Sequence, residues 1–131
     1  MEDAETALVK NCLDTIYEIF QSPSVHDFII GYTSRPAARA AQYRGFKDAD
    51  PEFVNYRCFV ILNERMEMDQ ALDLEQELHR RQVEIEDGRE VHARKYRHRN
   101  DIHHRSSGGT RNNELERIHS VYMVWRLGDV L

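Results

Sequence analysis

Arg39 and Tyr43 stand four residues apart in FIIGYTSRPAARAAQYRG, residues 28–45. On a helix that spacing puts both side chains on one face. Arginine is always charged, planar and able to donate two hydrogen bonds at once to a phosphate. A phenol beside it can orient water or exchange a proton with it. The bland alternative is a surface arginine lying along a core tyrosine. A second candidate is Glu75 in ALDLEQEL, residues 71–78. At ~100° per residue, Met68, Ala71, Leu72, Leu78 and His79 form one stripe with Glu75 at its centre. Asp69, Asp73, Gln76, Glu77 and Arg80 fall on the opposite side. A carboxylate inside an apolar stripe must be paired, hold a metal or take up a proton. Near phosphate-binding residues it would suit a divalent cation. The other reading is a structural ion pair with a core-facing arginine.

A third candidate is the run REVHARKYRHRNDIHHRSSGGTR, residues 89–111, which is rich in Arg, Lys and His. Lys95, Arg97, Arg99 and Arg105 are the types that contact phosphates, with Tyr96 or His98 available to stack on a base. Arg35 and Arg44, at the two ends of the Arg39 helix, extend the cationic set. The acidic stretch 64–87 lies just before this run, so pairing between the two is the alternative. Within DIHHRSSGGTRNN, His103, His104, Gly108 and Gly109 resemble the outline of an HNH nuclease motif. The spacing is short and no later His or Cys cluster completes it, since His119 stands alone. Zinc binding by the histidines is likewise weak, because His103 and His104 are adjacent and no Cys lies near.

The elements that must position these residues follow from periodicity. Leu8, Val9, Cys12, Leu13, Ile16, Ile19 and Phe20 share one face, which predicts a helix over 4–20 that Ser22–Pro23–Ser24 ends. Residues 28–32 read as a strand bounded by Gly31. Ser34 is placed to cap a helix beginning near Arg35, with Pro36 in its first turn and Gly45 at its C-terminus. Residues 53–62 read as a second strand and 64–81 as a helix, with a turn at Asp87–Gly88. Residues 106–110 read as a loop and 121–125 (VYMVW) as a third strand. The expected fold is a single α/β (α+β) domain: a small, mainly antiparallel three-stranded sheet flanked by helices.

Gly31, Thr33, Arg39, Tyr43 and Glu75 stand in the order and spacing of the GIY-YIG endonuclease family, which residues 27–82 resemble. In that family a strand ending in YIG precedes a helix with an essential Arg, then a His or Tyr one turn later, then a Glu on a later helix. Ile29, Ile30 and Gly31 occupy the YIG place here, so Ile29 replaces a tyrosine. Two segments are candidates for the GIY strand. Thr15–Ile16–Tyr17 has roughly the right separation but lies in a helical pattern. SVYMVW lies at the other end of the chain and would put Tyr122 in that role in a permuted sheet. The resemblance implies phosphodiester hydrolysis with one metal. Arg39 would stabilise the scissile phosphate, Tyr43 would hydrogen-bond or shuttle a proton, and Glu75 would hold Mg2+ or Mn2+. Tyr17 or Tyr122 would help activate water. The family's Asn has only Asn100 as a match. A catalytically inactive nucleic-acid-binding or protein-interaction module on the same fold is the alternative.

The chain's 131 residues fit one domain. Charged residues make up 31% and hydrophobic ones 40%, the composition of a polar-surfaced globular chain. No apolar run approaches the roughly 20 residues that span a bilayer, and the acidic N-terminus lacks a signal-peptide pattern. Cys12 and Cys58 each read as a free thiol among apolar neighbours. The expected compartment is the cytoplasm. The expected partners are nucleic acid, DNA before RNA, and a protein or second copy docked on the N-terminal helix. The net charge of −5 argues against non-specific nucleic-acid binding by the whole surface, so binding would have to be local.

Overall fold

The computed structural model describes residues 4–46, 51–97 and 117–128. The chain runs α1 (Ala4–Phe20), β1 (Val25–Thr33), α2 (Pro36–Arg44), a 3-10 turn (Pro51–Phe53), β2 (Cys58–Met66), α3 (Met68–Gln82), β3 (Val83–Glu86), β4 (Arg89–His92) and β5 (His119–Leu127). Three strands form one antiparallel sheet in the order β1-β5-β2. The α+β class expected from the sequence is the class observed. The last strand in the chain takes the centre because it is apolar on both faces, with His119–Val124 all buried. A strand covered on both sides reads as a near-continuous apolar run, and VYMVW is one.

Alternation along the strands separates two cores. Phe28, Ile30, Val121 and Met123 face α1 and α3. Ile29, Tyr122 and Val124 face the other way, against Tyr43 of α2 and the Phe53–Tyr56 segment. In α1, Cys12 and Ile16 are the fully inward positions and pack on the first core. The helix therefore lays its apolar face on the sheet. Tyr17 points outward, 58% exposed.

Local chemistry sets the element ends. Pro36 occupies the first turn of α2, where its missing N–H leaves no bond unmade. The N-cap is Arg35, without a side-chain cap, and its N–H donates to Thr33 Oγ1 at 3.0 Å, so Ser34 is not the cap. Gly45 adopts φ +97° and closes the helix, as its position predicts. β2 begins five residues later than the periodicity suggests. Tyr56 and Phe53 are drawn over the second core instead, with Asn55 turning the chain at φ +71°. β2 then runs on to Met66, delaying α3, which Glu67 and Gln70 open with a capping box. Asp87 and Gly88, both at positive φ, join β3 and β4 into a hairpin. Beyond it, Tyr96 bridges to Phe28: the Phe28 N–H donates to Lys95 O and the Arg97 N–H to Phe28 O, each at 2.9 Å. The segment 93–97 thereby lies along the outer edge of β1.

Candidate functional site

Gly31 lies opposite Tyr122 in the β1–β5 register. A Cβ at residue 31 would come within 2.7 Å of Tyr122 Cζ, so only glycine lets the phenol lie across β1. The Tyr122 and Tyr43 hydroxyls are hydrogen-bonded at 2.9 Å. Phe59 stacks on Tyr122 from β2, with centroids 4.9 Å apart, and the Tyr56 ring meets Tyr43 edge-on at 5.9 Å. Tyr43 and Tyr122 are 1% and 0% exposed, which keeps both phenols from bulk water. Of the two GIY candidates, Tyr122 is the one beside Gly31 and α2. Tyr17 sits on α1, over the other face of the sheet, with its ring edge on Phe20.

Arg39 lies one turn before Tyr43 and is half-buried, while Arg35 and Arg44 are exposed. None of the three has an ion-pair partner among the described residues. The helix contains no acidic residue, and Ala37, Ala38, Ala40 and Ala41 keep it thin. Other cations are engaged within the fold: Lys10 with Asp14, Arg80 and Arg81 with Glu77, and Arg126 with Asp27.

Glu75 is turned inward, 4% exposed, as its place in the apolar stripe requires. Leu74, not Leu72, fills the stripe beside it. Burial pushes its carboxyl up to about 7, which favours the neutral acid. Burial, and then the nearby Glu75 charge, push the Tyr96 phenol upward. The Tyr96 hydroxyl and His79 Nδ1 are 2.9 Å apart. Glu75 and Arg39 do not form the expected core pair. The helix carrying Glu75 packs on the Phe28 face, and the helix carrying Arg39 packs on the Tyr122 face. Among the described residues no group of three or more His, Cys, Asp or Glu is placed to hold a metal. Mg2+ keeps several waters even when one carboxylate binds it, and a carboxyl this buried does not fit that requirement.

The basic run divides. Lys95 Nζ donates to Phe20 O and Ser22 O at 2.7 and 2.9 Å, capping the end of α1, so this ammonium is not displayed to a phosphate. Arg97 donates from Nη1 to Tyr56 Oη at 2.7 Å, lies 4.6 Å from the Phe53 ring centre and stands 4.0 Å from Asp27. Its guanidinium braces the fold. Tyr96 is buried and cannot stack on a base. Arg99, Arg105, His98, Asn100, His103, His104, Gly108 and Gly109 lie outside the described residues. His119 is 1% exposed within β5, with its ring 5.9 Å from Tyr32.

The polar centre that periodicity did not single out is Asp27. It is 6% exposed and its Oδ2 accepts from Arg126 Nη2 at 2.6 Å, with Arg97 Nη1 4.0 Å from the same oxygen. Arg126 also lies 5.4 Å from the Tyr56 ring centre. Burial and the Asp27 charge push the Tyr56 phenol up to about 12. The signal was present: Asp27 has the same strand parity as Ile29 and Gly31, so it had to face the sheet's second core.

Cys12 and Cys58 are free thiols, the first buried and the second half-buried. No helix among the described residues is long and apolar enough to cross a membrane. No protein-family model, no curated protein and no solved structure matches the chain.

Proposed function

We propose that this chain is a nucleic-acid-binding module on a GIY-YIG-like fold, which takes the phosphate backbone on α2 through Arg35, Arg39 and Arg44. The observation that carries this reading is the gathering of three arginines on one helix that contains no acidic residue of its own. Among the described residues none of its three guanidiniums is paired with a carboxylate. A thin alanine-rich helix lets a backbone approach closely, and each guanidinium can donate two bonds to one phosphate. The Tyr43–Tyr122 pair beneath is buried, so its role in this reading is to seat α2 on the sheet.

Binding should fall with salt, the log–log slope losing roughly 0.7 to 0.9 for each phosphate contact removed. Replacing Arg35, Arg39 and Arg44 with Gln in turn, and following anisotropy of labelled DNA and RNA across a salt series, tests it. Salt-independent binding, or slopes unchanged in all three variants, would remove this reading.

A second reading is metal-dependent phosphodiester cleavage. It is favoured by the company of Gly31, Tyr122, Tyr43 and Arg39 on one face, the set that the GIY-YIG resemblance makes catalytic. The burial of Glu75 and of both phenols weighs against it. Cleavage of single- or double-stranded substrate with Mg2+ or Mn2+, lost in both Arg39→Ala and Glu75→Ala, would establish it over the binding module.

A further inference from the structure

Phe46 follows the C-terminus of α2 and is 64% exposed. Its exposure has a local cause. The Gly45 N–H donates to Gln42 O at 3.1 Å and the Phe46 N–H to Ala41 O at 3.0 Å, the paired bonds of a Schellman cap. In such a cap the residue after the glycine usually folds its apolar side chain back onto the last full turn. Here that turn offers Ala40 and Ala41, which are too small to cover a ring. The backbone of Phe46 is therefore held while its ring stands in water. Arg44 lies two residues before it, exposed, and Arg39 lies five residues before Arg44 on the same helix.

An aromatic face beside cations that no described carboxylate neutralises is the combination that binds unpaired nucleotides. The cations track the backbone, and the ring takes any base on its π-face. A duplex keeps its bases stacked on one another and has none to offer. Resting on the reading of α2 as a phosphate-contacting helix, we infer that the ligand is single-stranded nucleic acid, with one base stacked on Phe46. Charge favours this occupant over an apolar protein segment, because Arg35, Arg39 and Arg44 are spread along the whole length of α2. A protein hot spot would instead call for a broader apolar patch around the ring.

The test uses the whole chain with labelled oligo-dT and oligo-rU single strands and a mixed-sequence duplex of equal length, followed by anisotropy. Phe46→Ala should weaken single-strand binding roughly 5- to 150-fold and leave duplex binding unchanged. Phe46→Trp should retain single-strand affinity, and its indole emission should be quenched as the oligomer is added. A far-UV spectrum and unfolding midpoint matching the wild type confirm that each variant is folded, as expected for a ring outside both cores. If wild type binds with salt dependence but Phe46→Ala binds single strands as well as before, the stacking site is overturned while the arginine reading stands. If Phe46→Ala changes only the sedimentation of the protein, the ring is a protein contact and the inference is wrong. If no strand binds with salt dependence, the arginine reading falls and this one with it.

Discussion

The hydroxyls of Tyr43 and Tyr122 meet at 2.9 Å although 79 residues separate them in the chain. One belongs to a nine-residue helix, too short to be stable alone, and the other to the central strand. Their contact fixes how α2 sits over the sheet, and with it the direction in which Arg39 and Arg44 project. The ring of Phe59 on one side and the backbone of Gly31 on the other leave the Tyr122 phenol little freedom. The cationic helix thus stands on a rigid aromatic layer, the kind of support that a binding surface needs.

Loss of that bond should be measurable. Tyr122→Phe and Tyr43→Phe should each cost about 1–2 kcal/mol in urea unfolding, because each removes a buried hydrogen bond and leaves the other hydroxyl short of it. The double variant should lose less than the sum of the two, giving a coupling energy of about 0.5–1 kcal/mol or more. Strict additivity would mean that the two hydroxyls do not interact in solution.

Gly31→Ala tests the packing of the same layer. The added methyl would press on the Tyr122 ring, and overpacking of this kind costs about 1–3 kcal/mol. Shortening the opposing side chain with Tyr122→Leu should make the alanine far better tolerated, which a four-variant unfolding cycle would read as strong coupling. If Gly31→Ala were neutral with Tyr122 intact, the ring would not lie across β1.

Much of this arrangement could be read from residue types. The α1 periodicity placed Cys12 and Ile16 inward, and Pro36 and Gly45 bracketed α2. The stripe in α3 placed Glu75 inside the fold. What periodicity could not supply was which face of the sheet each helix covers. A helix that buries one side looks the same on either face, so Arg39 and Glu75 could be paired from spacing and still be parted by the sheet. Lys95 and Arg97 were hidden for a related reason. Their roles depend on carbonyls and a phenol brought close only by the tertiary fold, and composition records the charge without its partner. Strand β5 was legible as a strand, and its β-branched and aromatic run suited the centre. Its pairing with both β1 and β2 is a long-range fact that local pattern does not carry.

The burial of Glu75 makes stability depend on pH. Its carboxyl is raised from 4.5 to about 7 by desolvation, so between those values the folded chain binds more protons at this site than the unfolded one. The contribution is therefore fully present below about pH 4.5 and is lost as pH rises through about 7, with a total of the order of 3 kcal/mol. Glu75→Gln, which keeps shape without the charge, should flatten the profile across that window and be the more stable form at pH 8. Urea midpoints for the two proteins between pH 4 and 8 decide it. Parallel profiles would mean that the carboxylate is solvated or paired in the folded state. A rise in the wild-type midpoint with added Mg2+, absent in Glu75→Gln, would revive a metal-holding role.

Asp27→Asn should loosen the edge of the sheet more than its centre. The carboxylate lies against Arg126 at 2.6 Å and Arg97 at 4.0 Å, and removing its charge leaves two guanidiniums facing one amide. Breaking a fully buried ion pair costs about 3–5 kcal/mol. Here the arginine side chains remain 35% and 32% exposed and can recruit water, so about 1–3 kcal/mol is expected. The effect should be concentrated where Arg97 is tied down. The Phe28 and Arg97 amides hold segment 93–97 to β1 at 2.9 Å each, and both should exchange hydrogen faster in the variant. Amides of β5 paired with β2, such as those around Met123, should keep the wild-type protection set by global unfolding. Uniform acceleration at every amide would place the loss in overall stability, and unchanged exchange at Phe28 and Arg97 would show that the edge segment is held without Asp27.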